Sequence, residues 1–122
     1  MSMNAIQHGI TISELDAWGK LSDLGAQILE GGEVAAFGRM THGAPTDAVS
    51  AAYFGTTRGK FRLVYPFTEQ AMVVEGEVRI TDESTGETRT FKAGDSWFVT
   101  KGTSTLWDVL SDGFVKHYLA FT

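Results

Sequence analysis

A chain of 122 residues, 43% of them hydrophobic, can bury one core and has no room for a second domain of ordinary size. Its 15 acidic and 10 basic residues leave a formal charge of -5, and no Lys/Arg run occurs, so nucleic acid and anionic membrane surfaces are excluded as expected partners. Cysteine is absent, which removes disulfides, thiolate metal sites and cysteine nucleophiles from consideration.

Residues 1–8 have neither a basic start followed by an apolar core nor a small-residue cleavage site, and no apolar run approaches membrane-spanning length. The expected setting is cytoplasmic. Over 12–27, Leu15, Trp18, Leu21 and Leu24 recur every three residues, and Ser13 with Asp16 resembles a helix cap. Gly19 and Gly25 oppose a long helix there. Residues 1–30 are therefore expected to be an arm with at most a turn of helix, plus a first strand, packed on the barrel or on a second subunit. They belong to the same domain as residues 31–122, which supply the barrel itself.

Strand signals dominate the remainder: short runs rich in Val, Ile, Thr, Phe and Tyr, with two-residue alternation, broken by Gly, Asp or Ser. The expected strands are 26–29, 34–40, 49–55, 61–65, 68–74, 77–82, 87–92, 96–99, 105–110 and 114–121. Turn residues cluster at 30–33, 82–86 and 111–113. This is the rhythm of an all-β sandwich or barrel.

Two glycine-anchored segments carry the most specific pattern. Gly59-Lys60-Phe61-Arg62 leads to Glu69 and Gly76, and Ala93-Gly94-Asp95 leads to Gly102 and Trp107, before the chain closes on Lys116-His117-Tyr118. These segments resemble the two motifs of a cupin, which implies an all-β, single-domain, cupin-type double-stranded β-helix, a jelly-roll barrel. Glu69 and Gly76 hold the closing interval of the first motif. Counting back from Glu69, its histidine positions fall on Tyr65 and Leu63, or on Val64 and Arg62, none of which is a neutral nitrogen donor. In the second motif Thr100 stands for the proline and Thr105 for the histidine. Taken over 59–118, with a weaker extension at 53–57, the pattern is similar to the cupin branch of ureidoglycine aminohydrolase.

Alternation puts Phe61, Leu63, Tyr65, Phe67, Glu69, Ala71 and Val73 on one face, with Glu69 the single charge in an apolar row. A carboxylate so placed loses hydration and must take up a proton or recruit a cation. The same reasoning turns Thr105, Trp107 and Val109 inward. The resemblance implies that Lys116 neighbours the pocket and partners Glu69, although alternation alone leaves the rows Phe114, Lys116, Tyr118, Ala120 and Val115, His117, Leu119, Phe121 both plausible as the inner one. Glu69 and Lys116 are thus the candidate catalytic pair, and Tyr65, Phe67, Thr105, Trp107 and Tyr118 the candidate ligand-binding residues. Trp97 is read as core, and Asp95 as a turn former.

No cofactor is expected. A divalent transition metal would have to combine Glu69 with His42 or His117, and neither histidine stands at motif spacing. Gly55 to Lys60 resembles a phosphate loop but is one residue short between its glycines, and Phe61 stands where a magnesium-binding hydroxyl belongs. No nucleophile elbow or dinucleotide fingerprint is present. The resemblance implies a small-molecule pocket, hydrolase-like chemistry on a small nitrogenous metabolite, and a homodimer. The alternatives are metal-free binding of a small ligand, or a structural dimer module without catalysis.

Overall fold

The computed structural model describes residues 3–122. The every-third spacing near the start of the chain does not make an α-helix. Ile12–Glu14 and Leu21–Leu24 are short 3-10 turns, and between them Asp16–Lys20 runs as strand β1, antiparallel to β3 (Ala35–His42). The cap is not Ser13 with Asp16; the Thr11 amide donates to Glu14 Oε2 at 2.8 Å instead. The apolar side chains that mimic helical spacing go to different places. Leu15 joins a cluster outside the sheet, Trp18 and Leu21 turn to the core, and Leu24 remains 48% exposed.

The other strands lie within a few residues of where alternation and turn chemistry put them. They are β2 (Gln27–Glu30), β4 (Val49–Thr57), β5 (Lys60–Val64), β6 (Thr68–Glu75), β7 (Glu77–Asp82), β8 (Thr88–Lys92), β9 (Ser96–Val99), β10 (Ser104–Val109) and β11 (Gly113–Phe121). They form a six-stranded sheet, β1-β3-β4-β11-β6-β9, and a five-stranded sheet, β2-β5-β10-β7-β8, with every pairing antiparallel. Together the sheets make the jelly roll expected from the sequence. No helix among the described residues is long and apolar enough to cross a membrane.

Inward side chains of both sheets, among them Phe61, Val73, Val78, Trp107 and Phe114, build the main core. Outside the six-stranded sheet a second cluster joins Ile10 and Leu15 of the arm to Tyr53, Val74 and Val115. Adjacent Val73 and Val74 face opposite sides, yet are 0% and 1% exposed, so the centre of this sheet is covered on both faces. The chain crosses from one sheet to the other at Tyr65-Pro66-Phe67. There the Tyr65 amide donates to Thr103 O at 2.9 Å and the Gly102 amide to Tyr65 O at 2.8 Å. Side-chain parity survives the corner, so Tyr65 and Glu69 both face the interior. The β6–β7 turn needs Gly76: its φ is +85°, and an added Cβ would lie 2.4 Å from Gly113 O.

Candidate functional site

Glu69 sits on β6 and Lys116 on β11, neighbouring strands of the six-stranded sheet. The open question of facing on β11 is resolved by burial: Phe114, Lys116, Tyr118 and Ala120 form the inner row, whereas Leu119 and Phe121 are exposed on the other side. Lys116 Nζ donates to Glu69 Oε1 at 2.7 Å and Oε2 at 3.0 Å. The pair is buried, at 3% exposure for Lys116 and 0% for Glu69. The Tyr65 hydroxyl donates to Glu69 Oε2 at 2.7 Å, and Trp97 Nε1 to the same oxygen at 3.3 Å. Among the described residues only the Thr56 hydroxyl is a buried side-chain polar atom without a partner, so each polar atom of this cluster has at least one.

Aromatic rings surround the ammonium. The centroids of Phe54, Tyr65, Trp97, Trp107 and Tyr118 lie 5.2 to 5.6 Å from Nζ, within reach of cation–π attraction. Burial among them holds the Lys116 pKa below the usual lysine value, against the opposing charge and hydrogen bonds of Glu69. Burial also raises the Tyr118 phenol to about 12, helped by the Glu69 charge. For Tyr65 the same causes, burial first, push the phenol well above its ordinary range.

A cavity of about 350 Å³ opens onto this pair. Its walls include Trp18, Phe54, Phe67, Trp107 and Tyr118, and Glu69 and Lys116 supply its charged groups. Phe67 and Tyr118 stack with centroids 5.8 Å apart. Thr105, grouped with these residues by the sequence, does not line this cavity. Trp107 Nε1 donates to its hydroxyl, which in turn donates to Leu63 O, both at 2.8 Å. It borders a second hollow of about 370 Å³, which shares Tyr65 and carries the paired surface charges Arg89 and Glu87. Trp97 also lines that hollow, so its indole bridges the two regions.

The histidines lie elsewhere. His117 Nε2 is 2.8 Å from Thr41 Oγ1 and its ring meets Tyr53 edge-on at 4.9 Å, on the face of β11 opposite Lys116. His42 is exposed. No group of three His, Asp or Glu side chains able to hold a metal ion occurs among the described residues. The first-motif position carries the Tyr65 phenol, the second-motif position a threonine hydroxyl already in use, and Glu69 is engaged by an ammonium. This donor set does not fit a metal ion.

The sequence model of the EutQ-like cupin domain matches residues 43–118, the stretch that contains β4 to β10, the start of β11, the two glycine motifs and the Glu69–Lys116 pair. This chain belongs to the EutQ-like cupin family. A crystal structure of a candidate ethanolamine utilization protein Q from Salmonella typhimurium LT2 is 25% identical, with a TM-score of 0.59 over 71% of this EutQ-like cupin and 69% of that chain. A DUF861-family protein from Thermotoga maritima is 29% identical, with a TM-score of 0.52 over 57% of this chain and 76% of the other. A DUF861-family protein of unknown function from Pseudomonas syringae pv. tomato DC3000 shares the fold at a TM-score of 0.72 and 17% identity, over 87% of this chain and 43% of its own length. No curated protein matches the chain.

Sequence reading brings together Glu69, Lys116, Tyr65, Phe67, Trp107 and Tyr118, and all six line the cavity. It misses Trp18, Phe54 and Trp97. Trp18 is hidden by apparent helical spacing, and Phe54 lies upstream of the motifs. Trp97 carries a usable signal: a buried indole N–H requires an acceptor, and the only inward charge on the neighbouring β6 is Glu69.

Proposed function

We propose that this EutQ-like cupin binds a small organic molecule without a metal, in the ring-walled cavity above Lys116 and Glu69. One observation carries the reading: Lys116 has three N–H donors, and Glu69 accounts for two. The remaining donor suits a carbonyl oxygen, while the rings suit an apolar body. A neutral acceptor such as an amide, ureide or aldehyde fits better than a carboxylate, because a second buried anion beside Glu69 would lack a cation.

Hydrolysis of such an amide or ureide, implied by the resemblance to the ureidoglycine aminohydrolase branch, is the second reading. It is favoured by the carboxylate of Glu69 and the phenol of Tyr65 standing side by side at the cavity floor, as an acid–base pair would. Thermal-shift screening of chelator-treated protein against small ureides, amides and aldehydes tests both. Binding predicts stabilisation that grows with ligand excess, about 2.7 kcal/mol at a hundredfold over Kd. Ammonia release that Glu69→Gln abolishes would favour hydrolysis instead. Absence of stabilisation by every compound without added manganese, zinc or iron contradicts the metal-free reading.

We also propose a homodimer. Val49 pairs directly with Phe121 on the outer face of the six-stranded sheet, and both remain exposed together with Leu119 beyond the cover of the arm. Equilibrium sedimentation is expected to give twice the chain mass, and a monomer at all concentrations contradicts it.

A further inference from the structure

We propose that Lys116 is a covalent site, at which its ε-amine condenses reversibly with an aldehyde whose apolar body fits the ring-walled cavity while Glu69 moves the protons. The inference rests on the binding reading above and adds bond formation to it.

The geometry supplies each part. Lys116 lines a cavity of about 350 Å³, and the proton acceptor of its Nζ, Glu69 Oε1, is 2.7 Å away. The other carboxylate oxygen is held by the Tyr65 hydroxyl at 2.7 Å, which fixes the acceptor in place. Lys20, Lys60, Lys92 and Lys101 are all exposed, whereas Lys116 is buried among rings that strip its hydration. A desolvated lysine in an apolar pocket is the setting in which an amine becomes nucleophilic at neutral pH.

The step balances within the pair. The ammonium passes one proton to Glu69, and the neutral amine adds to the aldehyde carbon. A proton shift from nitrogen to oxygen then gives a carbinolamine. Glu69 returns its proton to the carbinolamine hydroxyl, which leaves as water, and the nitrogen lone pair forms the C=N bond. Ammonium plus aldehyde thus becomes protonated imine plus water. The protonated imine keeps the positive charge that Glu69 needs, and the surrounding rings stabilise that cation as they do the ammonium. Covalent capture therefore leaves the buried charge balance unchanged, which a neutral adduct would not.

The test incubates the chelator-treated protein with 3-phenylpropanal and sodium cyanoborohydride, which reduces an imine to a stable amine, followed by intact mass measurement and peptide mapping. The expected result is one adduct per chain, on the peptide carrying Lys116. Glu69→Gln is expected to slow its formation by about 10²-fold. Because Lys116→Met leaves a buried carboxylate alone and can unfold the chain, the deciding readout is the mapped position in the unaltered protein. Adducts spread over Lys20, Lys60, Lys92 and Lys101 with Lys116 bare overturn the inference. 3-Phenylpropanol, which has no carbonyl, separates the two claims. Calorimetric binding of the alcohol without any Lys116 adduct refutes the imine and leaves the binding reading standing; neither binding nor adduct removes both.

Discussion

Lys116 and Glu69 depend on each other energetically because both are buried, at 3% and 0% exposure. Removing one partner of a buried ion pair costs about 3–5 kcal/mol, whereas replacing both by uncharged groups of similar shape is close to neutral. Lys116→Met alone is thus expected to lower stability by about that amount. Lys116→Met with Glu69→Gln should recover most of it, since a glutamine still accepts from Tyr65 and Trp97. Urea unfolding of the two variants checks this, and equal losses contradict it. The buried phenols add a pH dependence. Tyr118 is raised to about 12 by burial and then by the Glu69 charge, while an unfolded tyrosine ionises near the ordinary value of about 10. A raised folded pKa gives stability that is complete below the unfolded value and is lost as pH climbs through the folded one. Unfolding midpoints should therefore fall between about pH 10 and about 12, less steeply in Tyr118→Phe. Lys116, lowered by burial, has the opposite sign: its penalty eases as pH rises toward the ordinary lysine value. The difference between the unaltered protein and Tyr118→Phe isolates the phenol, and identical slopes contradict its assignment.

Among the elements, β1 makes the clearest contrast between sequence and structure. The strands from β2 to β11 are legible because each joins period-two alternation to a turn residue at its end. In β1 that alternation is interrupted by a bulge between Ala17 and Gly19, and Leu15 just before the strand and Trp18 within it serve two clusters on opposite faces of one sheet. The resulting spacing imitates a helix. On β11 the failure is different. Both rows are apolar because the arm covers the outer face as the core covers the inner one, so burial of Val115 hides the facing of Lys116. The packing of β1 against β3 is testable at Gly38, where an added Cβ would lie 2.3 Å from the Trp18 ring. Gly38→Ala is expected to cost about 1–3 kcal/mol by overpacking and to displace the indole that walls the cavity. An unchanged melting temperature with unchanged Trp fluorescence contradicts that contact.

At the scale of the whole molecule, the jelly roll closes two sheets over an aromatic interior and leaves a cavity above the Glu69–Lys116 pair. The motif glycines, Glu69 and Trp107 identify the fold in the sequence because backbone turns and inward parity depend on residue type. Ligand identity is not legible in the same way, because it depends on rings drawn from β1, β4, β5, the β5–β6 corner, β10 and β11 that share no sequence spacing. The family match shows what the chain is built like, and the site must be argued from its own chemistry. That chemistry, a lysine with one donor left over beside a ring-lined cavity lacking a metal donor set, makes the central claim specific. The most direct measurement is the melting of chelator-treated protein in rising concentrations of the neutral amide 3-phenylpropanamide, alongside the variant carrying both Lys116→Met and Glu69→Gln. The account predicts a midpoint that climbs with the logarithm of amide concentration in the unaltered protein and stays level in the folded variant. Equal climbs in both, or a climb that requires added manganese, zinc or iron, would contradict it.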